Sequence, residues 1–330
     1  MPVSVALIGA DGSGKTTLFN ALTRGRGADG VGMVDVPDER LQRLADAVKP
    51  KKVVAAQVRI ADAPAGSKAQ RIGAAREADV VLKVARCFGP EPDPAAELAT
   101  LEVDLAITDL ATVEKRLELV EREVRVGKKA GTEELEVLRR AREHLDAGRP
   151  LSELSLEPGQ RALLAPLFPV SAKPAVVVAN VDEALLPDGG AAAATLGPEA
   201  VVVPARLEAE LVELDPAEAA EYRSSYGLRA GGLDAVAGAV WRAGGLITYF
   251  TAGEPEVRAW PCDRDSPAPV AAGVIHTDFE KHFIRAEVTS VDDLVAAGSM
   301  DALRAAGKLR VEGREYRVQD GDVVFFRVGR

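Results

Sequence analysis

Short apolar blocks alternate with turn residues along the first third of the chain. Val3 to Ile8 alternates and then runs apolar into a glycine-rich turn, the pattern of a buried parallel strand, and Thr17 to Leu22 reads as the helix that follows. Val31 to Val36 and Val53 to Ala61 are further strand candidates. Between them a helix is expected from Asp38 to Val48, stopped by Lys49-Pro50 because the residue before proline leaves the helical region. Asp79 to Ala85, Ala175 to Ala179 and Ala200 to Val203 add short Val-rich strands. Strands interleaved with helices in this way predict an α/β fold, an open and mostly parallel sheet with helices on both faces.

The period changes between Val103 and Phe168. Leu110, Val113, Leu117, Val120 and Val124 recur at spacings of three and four, and after a Gly127 to Gly131 break Leu135, Leu138 and Leu145 continue the pattern. An inserted antiparallel helical hairpin is expected, either a solvated structural arm or a docking arm for a large partner. A last helix from Leu233 to Ala243 leads to Gly244-Gly245, a plausible hinge. Beyond it, strands at Leu246 to Thr251, Glu256 to Trp260, Phe283 to Val288 and Val323 to Val328, with a helix at Ser290 to Ala297, predict a small α+β module large enough to fold alone.

Composition narrows the class. With 330 residues, 47% hydrophobic and 28% charged, the chain holds core material for about two domains. No apolar run approaches the roughly 20 residues of a membrane span, and no signal peptide precedes Val3, so a soluble cytoplasmic protein without a membrane partner is expected. A formal charge of −10 speaks against a general electrostatic grip on nucleic acid; no DNA partner is expected, and any RNA contact must be local. Cys87 and Cys262 are too far apart in sequence to suggest a disulfide scaffold, and His144, His276 and His282 lack zinc-ligand spacing. Cys87 reads as a buried strand-end thiol, and His276 and His282 as residues that cap or fill a sheet.

The chemistry is concentrated in Gly9-Ala-Asp11-Gly12-Ser13-Gly14-Lys15-Thr16, a full GxxxxGK[ST] match between a strand and a helix. Glycines there let backbone N–H groups turn inward around phosphate oxygens, and the helix N-terminus adds its positive end. Lys15 would bridge β- and γ-phosphates, and the Thr16 hydroxyl would be a Mg²⁺ ligand, with Thr17 next in the helix. Asp62, closing a neighbouring strand, is the candidate for the second acidic group of the Mg²⁺ shell. At the end of a later strand Asn180-Val-Asp-Glu183 stands where a P-loop GTPase carries NKxD. Glu183 is one methylene longer than aspartate, so strict guanine selection does not follow.

These and several longer stretches resemble the YchF family, the Obg-related branch of translation-factor-class P-loop NTPases. The resemblance runs over nearly the whole chain. It is carried by Val36-Pro-Asp-Glu-Arg-Leu41, Val48-Lys-Pro-Lys-Lys-Val53, Arg86-Cys-Phe88, Val113-Glu-Lys-Arg-Leu117, Ala172-Lys-Pro174, Ala179-Asn-Val-Asp-Glu183, Ala272-Gly-Val-Ile-His-Thr-Asp-Phe-Glu280, Phe283-Ile-Arg-Ala-Glu-Val288 and Val318-Gln-Asp-Gly-Asp-Val323. It implies a nucleotide-binding G domain over residues 1–102 and 171–245, an inserted coiled-coil arm over 103–170, and a C-terminal β-grasp-like TGS domain over 246–330. It also implies an NxxE base motif, Asn180 and Glu183, associated with ATP preference over GTP, and ribosome or ribosomal RNA partners reached through the arm and the C-terminal domain.

The departures from the family pattern bear on turnover. The segment from Leu22 to Met33 lacks the longer first switch, and Thr23 is its one hydroxyl. Asp62-Ala-Pro-Ala-Gly66 carries one residue more than DxxG, the histidine expected beyond Arg86-Cys-Phe88 is missing, and the base loop reads Pro204-Ala205-Arg206 in place of SAK. Phosphate binding rests on backbone donors and Lys15, which are present. Hydrolysis needs an oriented water and transition-state stabilisation, each worth orders of magnitude in rate. Nucleotide binding with slow or lost hydrolysis is therefore expected, ATP before GTP, with Mg²⁺. The alternative is a non-hydrolysing ribosome or RNA interaction module with a relic P-loop. A small-molecule kinase is disfavoured, because the arm and the C-terminal module serve no such chemistry. In that module acids slightly outnumber bases, so Lys308, Arg310, Arg314 and Arg317 are the candidate local face for RNA.

Overall fold

The computed structural model describes residues 3–62, 68–126, 131–186, 189–228 and 231–329. Along the chain run β1 (Ser4–Ile8), α1 (Lys15–Thr23), β2 (Val31–Val36), α2 (Glu39–Val48), β3 (Val53–Val54), β4 (Ala56–Asp62), α3 (Lys68–Glu77), β5 (Val80–Cys87), α4 (Pro94–Arg125), α5 (Thr132–Asp146) and α6 (Pro158–Leu164). There follow β6 (Ala175–Val181), α7 (Gly190–Ala194), β7 (Val201–Val203), α8 (Ala205–Leu211), α9 (Pro216–Ser225), α10 (Gly232–Ala243), β8 (Leu246–Ala252), β9 (Val257–Asp263), α11 (Ala268–Ile275), α12 (Thr277–Lys281), β10 (Phe283–Ser290), α13 (Val291–Ala297), α14 (Met300–Ala305), β11 (Arg310–Glu312) and β12 (Asp322–Val328). They build a mixed α/β fold with two six-stranded sheets, ordered β2-β4-β1-β5-β6-β7 and β11-β10-β12-β8-β9-β3.

The chain divides into two compact units, one of residues 4–32 and 60–236, the other of residues 1–3, 33–59 and 237–330. In the first, β1 pairs with β5, β5 with β6 and β6 with β7, all parallel, as continuous apolar strands buried on both faces require. Ala6, Ile8 and Val81 pack with Ala75 of α3, Ala78 just beyond it and Leu105 of α4. Helix α4 is capped by the Asp93 carboxylate, which accepts from the Ala96 N–H at 3.0 Å, with Pro94 in the first turn where its missing N–H costs nothing. It thus begins nine residues before the period change at Val103, since proline and the cap, not the apolar repeat, set the start. Its Val113, Leu117 and Val120 pack against Val137, Leu138, Ala141 and Leu145 of α5. Arg116–Glu134 at 2.6 Å and Arg139–Glu121 at 3.0 Å link the two helices. Of the expected Gly127 to Gly131 break, residues 127–130 lie outside the described residues. Gly131 lies against Val120 and Val124.

The second unit corrects one expectation. Val53 to Ala61 is not one strand: it breaks at Ala55 into β3, which pairs in parallel with β9, and β4. Residues 33–59 lie in the same compact unit as the C-terminal residues. Helix α2 lies on β8, β9 and α13, with Leu44 fully buried, Arg40 bonded to Asp320 at 2.7 Å and stacked over Phe250, and Arg43 bonded to Asp292 at 2.5 Å. On the other face of the sheet, Tyr249, Phe283, Ala286, Val288 and Val324 pack on Ala268, Ala271 and Ala272 of α11, and the Tyr249 hydroxyl donates to the Ala271 carbonyl at 2.8 Å. Helix α11 is apolar nearly all round, with Ala268, Pro269, Ala271 and Ala272 buried and Val270 exposed, so it shows no helical period in sequence. No helix among the described residues is long and apolar enough to cross a membrane.

Candidate functional site

Strand β1 ends at Ile8 and the chain turns through Gly9 to Gly14 into α1. Three positions in this turn need glycine for distinct reasons. A Cβ on Gly9 would collide with the Val84 carbonyl, one on Gly14 would collide with the Asn180 amide, and Gly12 and Gly14 sit at φ 77° and 88°, in the left-handed region. The first turn of α1 has no side-chain cap and no acidic residue, so its N–H groups and positive end are left for an anion.

Lys15 folds over this loop, its ammonium donating to the carbonyls of Ala10 at 2.7 Å and Gly9 at 3.1 Å. Burial lowers its pKa from the ordinary lysine value; the nearby Asp11 carboxylate opposes that shift and Arg71 adds to it. Ser13 is fully buried, and its Oγ is a polar atom without a hydrogen-bond partner beside the cradle. The Thr16 hydroxyl donates to the Asp62 carboxylate at 2.8 Å. Asp62 is set there by its own backbone, whose N–H donates to the Gly30 carbonyl at 2.9 Å; Gly30, at φ 73°, leaves no room for a Cβ against the Asp62 carbonyl. Thr17 is exposed on the same turn.

The residues fit the group their pattern implies. A glycine cradle, an uncapped helix N-terminus and a lysine suit phosphate, and a hydroxyl beside one carboxylate suits a Mg²⁺ that takes its other ligands from phosphate and water. Groups of three or more His, Cys, Asp or Glu that could hold a metal by themselves are absent among the described residues.

The far end of the groove is organised by Asn180 at the end of β6. Its side chain is buried and bonded at both ends: Nδ2 donates to the Ser13 carbonyl at 2.9 Å, and Oδ1 accepts from the Ala205 N–H at 3.1 Å. Asn180 therefore ties the phosphate loop to the Pro204–Arg206 loop. Glu183, at the edge of the same loop cluster, faces Arg206 at 3.7 Å. Phe88 follows β5, and the N–H of Gly89 donates to Asp182 at 3.4 Å.

Some contacts have no signal in sequence. Arg71 of α3 pairs with Asp11 at 2.7 Å across 60 positions, a meeting only the fold creates. Thr23, the one hydroxyl between Leu22 and Met33, is buried and donates to the Phe19 carbonyl at 2.8 Å, so it is turned away from the cradle. Residues 63–66 of the Asp62 to Gly66 loop lie outside the described residues. Cys87 is buried at the end of its strand, with its thiol pushed up to about 11 by burial. His276 caps α12 through the Asp278 N–H, and His282 contacts the Asp278 carbonyl.

The four cations expected to form an RNA face are engaged locally. Lys308 pairs with Asp293 at 2.7 Å, Arg310 contacts the Tyr316 hydroxyl at 3.2 Å, and Arg314 and Arg317 donate to the carbonyls of Phe283 and Asp265.

A parallel α/β sheet with a glycine cradle, lysine and Thr–Asp pair at the carboxyl ends of its strands defines a P-loop protein of the nucleotide-binding class. The chain is 36% identical over 364 residues to the ribosome-binding ATPase YchF of Bacillus subtilis (strain 168) and 34% identical over 360 residues to that of Escherichia coli O157:H7, covering 99% of each chain in both cases. It belongs to the YchF family. Residues 246–329 match the family profile YchF-GTPase_C, described as a protein of unknown function (DUF933). The structure is similar to that of the Schizosaccharomyces pombe YchF GTPase, with a TM-score of 0.88 and 27% identity over 98% of this chain and 97% of the other.

Proposed function

We propose that the protein binds ATP with Mg²⁺ in this cradle, hydrolyses it slowly or not at all, and associates with the ribosome in the cytoplasm. The observation that carries the binding is the assembled cradle: Lys15 over Gly9 and Ala10, with the Thr16–Asp62 pair at 2.8 Å beside it. Lys15 would hold the β- and γ-phosphates, Thr16 and Asp62 the ion, and Gly9, Asp11, Gly12, Ser13, Gly14 and Thr17 would line the phosphates. Mg²⁺, when bound, would neutralise charge on the phosphate oxygens.

Adenine rather than guanine is supported by the donor and acceptor inventory at the base end. Adenine offers an exocyclic amine where guanine offers a carbonyl oxygen. The Glu183 carboxylate accepts only, and the Ala205 N–H is already given to Asn180. Slow turnover is supported by Thr23, whose buried hydroxyl bonds within α1 and is withdrawn from any ion. The same observation favours the second reading, a nucleotide-independent interaction module. Ribosome association comes from what the relatives are named for. The helical arm of residues 103–170, read as a coiled coil, and the 246–330 module, read as a TGS domain, are proposed to carry it.

The test is titration of ATP and GTP, with Mg²⁺, into wild type, Lys15→Ala and Glu183→Gln while phosphate release is followed. ATP should bind more tightly than GTP, Lys15→Ala should lose both, and Glu183→Gln, which adds a donor, should narrow the ratio. If neither nucleotide binds wild type, the cradle is a scaffold. Pelleting with ribosomes at low salt and with ATP present checks the partner, and protein left in the supernatant would sink it.

A further inference from the structure

The phosphate loop carries an acid that phosphate alone does not call for. Asp11 follows Ala10, whose carbonyl takes the Lys15 ammonium at 2.7 Å, and a carboxylate there repels the anion the loop is built to hold. Its partner comes from α3. That helix is anchored on the sheet by Ala75, fully buried, and by Ile72, which packs with Ala6, Ile8 and Leu105. Arg71, beside Ile72, brings its guanidinium to the Asp11 carboxylate at 2.7 Å. The pair is open to water, with the Asp11 side chain 83% exposed and that of Arg71 28%. An exposed ion pair of this kind adds little to stability, so it is readily exchanged. Arg71 also lies close to the lysine of the cradle. The Lys15 pKa is lowered foremost by burial, with Asp11 opposing the shift and Arg71 adding to it, so the three charges act on one another.

We propose that Arg71 binds the γ-phosphate: when ATP enters the cradle, the guanidinium leaves Asp11 for the terminal phosphate, and the chain tells ATP from ADP by that contact. This rests on the reading of the cradle as an ATP site and adds to it the residue that recognises the third phosphate. The Asp11 carboxylate stands in for the anion that Arg71 is placed to hold. A terminal phosphate carries more negative charge than a carboxylate and offers its oxygens to both arms of the guanidinium fork, so it wins the exchange. Asp11, already exposed, returns to water at little cost. Lys15 reaches the β- as well as the γ-phosphate and so holds ADP too, whereas Arg71 is engaged by the triphosphate alone.

The probes are ADP and the non-hydrolysable β,γ-imido analogue of ATP, titrated with Mg²⁺ into the full-length protein and followed by calorimetry. Wild type should bind the triphosphate more tightly than ADP. Arg71→Ala should weaken the triphosphate about tenfold or more, the size expected of a lost charge-assisted hydrogen bond, and leave ADP within about twofold. The retained ADP affinity shows at the same time that the loop is intact. Arg71→Gln, which keeps most of the stem and removes the charge, should behave alike and guards against a variant that fails to fold. Repeating both substitutions in an Asp11→Asn background separates direct contact from neutralisation of Asp11. A phosphate-binding arginine costs triphosphate affinity there by a similar factor, whereas one that only cancels the Asp11 charge has no effect. Equal loss of both nucleotides, loss of neither, or a loss that vanishes with Asp11→Asn would overturn the role of Arg71, and wild-type binding would leave the ATP reading standing. If wild type binds neither nucleotide, the ATP reading itself fails and the role of Arg71 fails with it.

Discussion

Asn180 is the residue on which the two ends of the nucleotide groove depend. It bonds the Ser13 carbonyl on one side and the Ala205 N–H on the other, both in buried surroundings. Asn180→Ala leaves both backbone groups unpaired, so a loss of about 2–4 kcal/mol in urea unfolding is expected, together with weaker nucleotide binding. Glu287 makes a different prediction. Its buried carboxylate accepts from Arg327 at 2.9 Å and lies within reach of Arg304 and Arg285, and these arginines, Arg327 foremost, hold its pKa at about 2 against 4.5 unperturbed. A depressed carboxylate pKa stabilises the fold fully above the unfolded value and loses that contribution as pH falls from about 4.5 toward 2. Acid titration of unfolding should therefore show a steeper limb in that window for wild type than for Glu287→Gln. At this scale the sequence was most legible where chemistry is local: the cradle residues are contiguous, so their roles can be read from spacing. Arg71 beside Asp11, Arg206 opposite Glu183 and the withdrawn hydroxyl of Thr23 depend on contacts or rotamers that spacing does not contain.

Between elements, the join that matters most is Asp109 on α4. The carboxylate is buried and accepts from the N–H groups of Val170 and Ser171 and from the Ser171 hydroxyl, at 3.1, 2.7 and 2.6 Å, and so pins the long helix to the turn that leads into β6. Asp109→Ala is expected to cost about 3 kcal/mol in urea unfolding, because three donors lose their acceptor at once, and Asp109→Asn should cost less because it keeps one acceptor oxygen. Elements with a clean period were foreseeable. Helix α2 ends at Lys49, in the left-handed region just before Pro50, and α13 starts at the Ser290 cap. Helices α11 and α12 and the split of β3 from β4 were not, since α11 is apolar nearly all round, α12 is five residues long, and a strand break at Ala55 depends on which sheet claims each half.

For the molecule as a whole, the informative feature is that residues 33–59 belong to the same compact unit as the C-terminal residues. A fragment of residues 246–330 alone would lose β3 from the edge of β9 and expose the sheet face that α2 covers, so it should give a poorly dispersed NMR spectrum and no cooperative thermal transition. Linking residues 33–59 to that fragment should restore both. Length and charge gave no hint of this arrangement, in which the compact unit takes up the chain again at Ala237. What the sequence by itself determined is what local rules govern: the alternation of strand and helix, the phosphate cradle between Gly9 and Thr16, and the family signature spread along the chain. Tertiary structure alone decided which other distant groups meet: Asn180 with Ser13 and Ala205, Arg71 with Asp11, and α2 with the second sheet. Backbone propensity and hydrophobic period act over a few residues, whereas those contacts are set by packing and by the need to pair buried polar groups, which act across the whole fold.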